Sequence, residues 1–119
     1  NWSASYGSGK VNISTGDVEI TTYGVGTACR ADIFKFKDVM HRATSEGAVP
    51  LDAELNLNMA AKVGELNGVY SGKVLNDQLI LGTTDYIAPD TVFLFNSSNE
   101  LLQTFEVNVL PGDFAVYNN

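Results

Sequence analysis

His41 and Cys29 are the only histidine and the only cysteine in a chain of 119 residues. Nucleophilic catalysis would pair His41 with Cys29 or with a serine, and would then need a carboxylate to orient the imidazole. One residue of each kind is too few for a tetrahedral zinc site, which takes four nitrogen or sulfur ligands. Gly7-Ser8-Gly9-Lys10 has the closing residues of a phosphate-binding loop. However, Ala4 stands where the motif needs its first glycine, and Val11 where it needs Ser or Thr. Asp17 with Glu19, and Asp52 with Glu54, place two carboxylates on one face of a strand. On an amphipathic strand such pairs form the wet face rather than an acid–base couple. The expectation is a protein that is not an enzyme and carries no cofactor.

Hard cations are the one metal chemistry with candidate ligands. Calcium takes six to eight oxygens from carboxylates, amides and carbonyls. Asn76 and Asp77, and Asp85 and Asp90, are oxygen-bearing residues in turn-like sequence. They are the weak calcium candidates, although Asp and Asn favour turns in any case. Aromatic side chains offer recognition instead of reaction. Trp2, Tyr6, Tyr23, Tyr70 and Tyr86 could stack on a sugar or anchor an interface. Phe93 and Phe95 join them because Val92-Phe93-Leu94-Phe95 is apolar on both strand faces. A strand of that kind is buried on two sides, by its own chain or by a partner.

The elements that must position these residues are β throughout. Val49, Leu51, Ala53, Leu55 and Leu57 alternate with Asp52, Glu54, Asn56 and Asn58. This period of two predicts a long half-buried strand over 49–58. Strands over 11–14 and 18–23 flank Thr15-Gly16-Asp17. Asn67-Gly68 predicts a hairpin between 62–66 and 69–74, since both residues accept positive φ. Asn76-Asp77 separates 69–74 from 78–81. Segments 91–95 and 100–109 flank Asn96-Ser97-Ser98-Asn99, and Pro111-Gly112-Asp113 leads into a last strand at 114–117. Ile33, Phe36, Met40 and Ala43 recur at helical spacing, so a short helix near 37–45 competes with a strand there. The sum is one all-β domain over 1–119: an antiparallel sandwich or barrel, jelly-roll or immunoglobulin-like, of about 8–10 short strands. Residues 1–9 are expected to form a flexible or partner-docking arm.

Composition narrows the partners. The 7 basic residues face 14 acidic ones, for a net charge of −7, so nucleic acid is not expected as a partner. No run approaches the roughly 20 apolar residues of a membrane-spanning helix. Asn-x-Ser sequons at Asn1, Asn12 and Asn96, with few lysines, suggest an extracellular, cell-surface or virion setting. The segment Val39-Met40-His41-Arg42-Ala43-Thr44-Ser45-Glu46-Gly47-Ala48-Val49-Pro50-Leu51-Asp52 resembles a stretch of phage head-decoration proteins. In those, a short strand ending in Arg-x-Thr leads through a glycine to a Pro–Leu–Asp-like segment. The resemblance covers 14 of the 119 residues, implies assembly on a virion, and assigns no site residues. The expected function is therefore a structural subunit that associates with copies of itself. The alternative is an adhesion or glycan-binding module.

Overall fold

The computed structural model describes residues 3–29 and 31–117, and within them the chain is nearly all strand. Nine strands follow one another: β1 (Ser5–Val11), β2 (Val18–Val25), β3 (Ile33–Phe36), β4 (Val39–Thr44), β5 (Gly47–Pro50), β6 (Val69–Leu75), β7 (Gln78–Thr83), β8 (Asp90–Phe95) and β9 (Leu101–Val107). A single 3-10 turn covers Met59–Ala61. The sheets are antiparallel and have the orders β1-β2, β3-β4-β5 and β6-β7-β8-β9. Every pairing joins consecutive strands. The described chain is thus a meander, without the crossed connections of a jelly roll or an immunoglobulin domain.

The three- and four-stranded sheets pack as a sandwich. β6 touches β3 and β4, and the core between the sheets holds Phe36, Ala43, Ala48, Val63, Val69, Leu79, Leu81 and Phe95. Strand alternation supplies it. Leu79 and Leu81 point inward and pair with Phe95 and Phe93, while Ile80 and Gly82 pair with Leu94 and Val92 on the opposite face. That second face is closed by the C-terminal segment. A Cβ on Gly82 would lie 2.8 Å from Pro111 and 3.2 Å from Phe114, so glycine leaves the room the segment occupies. The Ser71 hydroxyl donates to the Pro111 carbonyl. Lys73 holds Asp113 at 2.8 Å. The two apolar faces of β8 are therefore covered by the protein's own chain.

Several segments differ from expectation. There is no helix near 37–45. Lys37 and Asp38 both take positive φ, at 53° and 62°, and turn β3 into β4 with Phe36 opposite Val39. The residues at helical spacing do not share a face, since Phe36 and Ala43 are buried while Ile33 and Met40 are exposed. The strand expected over 49–58 stops at Pro50. The Asp52 carboxylate accepts the amides of Glu54 and Asn56 at 3.0 and 2.8 Å, and Leu55 has φ 66°. The chain curls there while still burying Leu51 and Leu55. The expected 62–66 strand is reduced to one bridge from Val63 to Ala48. This segment lies against Gly47, where any Cβ would meet the Val63 carbonyl at 2.5 Å, so no hairpin forms at Asn67-Gly68. Residues 114–117 are not a strand; Phe114 lies against Gly82 on the face of the sheet, and 115–117 are exposed.

Candidate interaction surface

The β1–β2 hairpin is inverted relative to an ordinary amphipathic hairpin. Residues opposite each other across an antiparallel pair share a face. Lys10 opposes Glu19 and Ser8 opposes Thr21, whereas Val11 opposes Val18 and Gly9 opposes Ile20. The polar set faces the body. Lys10 Nζ donates to the Ala53 carbonyl at 2.7 Å and lies 3.1 Å from Glu19. Thr21 Oγ1 donates to the Glu54 carbonyl at 2.7 Å, and the Tyr23 hydroxyl donates to the Leu55 carbonyl. The apolar set faces away. Val11 and Val18 are each 59% exposed, Ile20 is 74% exposed, and Ile13 in the turn is 95% exposed.

Arg42 adds to these contacts from the body side. Arg42, on β4, is buried. Its Nη1 donates to the Gly7 carbonyl at 2.7 Å and to Ser8 Oγ at 2.8 Å. Its guanidinium lies 5.4 Å from the Tyr23 ring centre, and Tyr23 meets Tyr6 edge-on at 6.1 Å. A buried cation is costly unless its donors are used. Here those donors are used to clamp the polar face of the hairpin against the body.

A second exposed strip lies on the other side of the sandwich. β9 is the outer strand of the four-stranded sheet, and no described strand pairs with its far edge. Leu101, Leu102 and Phe105 on it are all exposed.

The aromatic residues singled out by sequence are partly gathered, Tyr6 with Tyr23 and Tyr70 with Tyr86. Phe95 is inside the core and Phe93 packs against it, so both are committed within the chain. Tyr70 is buried, and its ring meets Tyr86 edge-on at 6.0 Å. Tyr86 is exposed at φ 69°. Trp2 lies outside the described residues. Tyr6, Tyr86, Cys29 and Arg42 border one cleft of about 570 Å³, with Thr27, Glu46, Met59 and Thr84 also on its walls.

The calcium candidates fall in two places, with Asp85 and Asp90 together, the Asp85 amide donating to Asp90 Oδ1 at 3.2 Å. Asn76 and Asp77, both at positive φ, form the β6–β7 turn at one end of β7, and Asp85 and Asp90 follow its other end. The Asp85 carboxylate accepts the Ile87 and Ala88 amides at 2.9 Å, which holds its carboxyl below the ordinary value. Burial pushes the Asp90 carboxyl up. Hydrogen bonds from the Thr84 hydroxyl and the Leu110 and Asp85 amides outweigh this and leave it lowered. Among the described residues no group of three or more His, Cys, Asp or Glu is placed to hold a metal.

His41 serves packing. Its Nδ1 lies 3.0 Å from the Val39 carbonyl, Phe34 stacks parallel to it at 6.3 Å, and Phe36 meets it edge-on at 5.7 Å. Burial lowers its pKa. Cys29 is exposed. No described helix is long and apolar enough to cross a membrane.

Sequence reasoning missed the hairpin face. The alternation of Val18 and Ile20 with Glu19 and Thr21 is visible in the chain, but which face turns inward is decided by Arg42 and the 53–55 carbonyls. A scan of family models finds no match to this chain, and searches of curated proteins and of solved structures find none either. The likeness of residues 39–52 to phage head-decoration proteins rests on those residues alone.

Proposed function

We propose that this protein is a non-enzymatic structural subunit that associates with copies of itself, in an extracellular or virion-surface assembly. The observation that carries the reading is the inverted hairpin. Val11, Ile13, Val18 and Ile20 are held in water by a clamp that buries the polar face instead. Contiguous exposed apolar surface of this kind marks an interaction site. Exposing it costs stability in an isolated chain and gains it back when a partner covers the face. The dispersal of His41, Cys29 and the paired carboxylates into packing, loop and surface roles favours a structural over a catalytic reading.

Light scattering over rising protein concentration tests this. The expected result is a mass above the 12.8 kDa protomer that falls back to the protomer in Val18→Lys/Ile20→Lys. A wild-type protein that stays monomeric throughout contradicts it.

The cleft beside the hairpin favours a second reading, a glycan or similar polar ligand stacked on Tyr86, with Arg42 also on its wall. A glycan array distinguishes the two. Binding lost in Tyr86→Ala but kept in the hairpin variant supports the ligand reading.

A further inference from the structure

The buried charge beside the cleft has no counterion. Arg42 is 7% exposed, the most buried Lys or Arg among the described residues. The ion pairs among those residues join lysines to Asp or Glu, and none includes Arg42. Its partners are neutral: the Gly7 carbonyl and Ser8 Oγ on Nη1, and the Tyr23 ring beside the guanidinium. A cation held out of water remains costly until an anion meets it.

A guanidinium has five N–H donors, and Nη1 carries two of them. Nε and Nη2 have no hydrogen-bond acceptor among the described residues. Neither atom is sealed off, because no buried side-chain nitrogen or oxygen there lacks a partner. The Nε–Nη2 edge therefore meets solvent, and Arg42 borders the cleft of about 570 Å³. That edge is a fork of two parallel donors, the shape that takes a carboxylate by two hydrogen bonds. Because Nη1 is anchored, the fork is held in place before a ligand arrives.

We propose that the cleft binds a saccharide bearing a carboxylate, a uronic or sialic acid. Its acid group sits on the free edge of Arg42 and a sugar face sits on Tyr86. This rests on the ligand reading of the cleft and deepens it.

The other walls agree with this. Thr27, Thr44 and Ser45 supply hydroxyl groups that suit those of a sugar. The Tyr86 ring is 63% exposed, is braced edge-on by Tyr70 at 6.0 Å, and has its backbone amide held by Thr84 Oγ1 at 3.0 Å. Arg42 is the only described cation on the cleft wall, so the site answers one negative charge, as a carboxylate carries, rather than the two of a phosphate monoester. Glu46 is the one carboxylate on the wall, and Lys62 holds it at 2.8 Å.

Calorimetric titration of the full chain with paired sugars tests the proposal. Trigalacturonate is compared with its methyl ester, and sialyllactose with lactose. At least one acid is expected to bind roughly ten- to a hundredfold more tightly than its neutral counterpart, and the pair that shows the difference names the acid. Arg42→Met is expected to reduce the acid to the affinity of the neutral sugar. Glu46→Gln removes a like charge from the wall and leaves the hairpin contacts intact. It is expected to tighten the acid about two- to fivefold without changing the neutral sugar, which keeps the test decisive if Arg42→Met fails to fold.

Neutral sugars that bind as tightly as the acids overturn the carboxylate preference while the ligand reading stands. An acid preference that survives Arg42→Met and does not respond to Glu46→Gln places the charge recognition outside this cleft and overturns the proposal. If no saccharide binds, acidic or neutral, the ligand reading fails and this inference with it.

Discussion

Arg42 is one of the groups that hold the polar side of the hairpin against the body. A hydrogen bond from a charged donor contributes roughly 1.5–3 kcal/mol. Arg42→Met keeps the packing of the stem and removes the donors to Gly7 and Ser8. The expected cost is about 2 kcal/mol in chemical denaturation. Amide exchange in β1 should quicken while the core strand β7 stays protected, and unchanged exchange in β1 would contradict the clamp.

His41 sets the acid response near neutrality, and at lower pH Asp90 shares it with the other lowered carboxyls, Asp38, Asp52, Asp85 and Asp113. Burial holds the His41 imidazole below its ordinary value of 6.5. The neutral ring belongs to the folded state, so its contribution is complete above 6.5 and is lost as pH falls through the folded value. Asp90 behaves alike at lower pH: its lowered carboxyl contributes above 3.8 and loses that contribution as protonation proceeds below it. Urea midpoints should therefore decline in two stages on acidification. His41→Gln is expected to flatten the first stage and Asp90→Asn to shrink the second, which the other lowered carboxyls share, measured as midpoint against pH. A wild-type profile that is level between about pH 7 and 5 would contradict the first assignment.

The elements differ in how far their residues announce them. β6, β7 and β8 are legible because Asn76-Asp77 fixes a two-residue turn and the apolar pattern fixes both faces of β8. The strand expected over 49–58 fails even though its inward residues are largely right: Val49, Leu51 and Leu55 are buried. Alternation reports burial, and the Asp52 side chain supplies a local turn that ends the pairing. Gly47 behaves similarly, since its value lies in contact with Val63, which local pattern does not encode.

Two substitutions separate these layers. Leu81→Ala is expected to cost about 2–5 kcal/mol as a core truncation. Gly47→Ala adds a methyl group at φ 150° and 2.5 Å from the Val63 carbonyl, so it should destabilise the 63–66 segment in amide exchange while β8 and β9 keep their protection. A Gly47→Ala protein with wild-type exchange in 63–66 would contradict the close contact. The hairpin, by contrast, is legible as an amphipathic pair but not in orientation. Its inward face is chosen by partners far along the chain, among them Arg42, Ala53, Glu54 and Leu55.

At the scale of the molecule, the radius of gyration is 15.2 Å, against about 13.5 Å for a compact domain of this length. The 45% hydrophobic composition is divided between an ordinary sandwich core and two strips left in water. The most direct measurement is amide exchange of the hairpin in dilute and in concentrated wild-type protein. Self-association predicts that β1 and β2 gain protection with concentration, while the already buried β7 does not change. Hairpin exchange that is the same at both concentrations would contradict it.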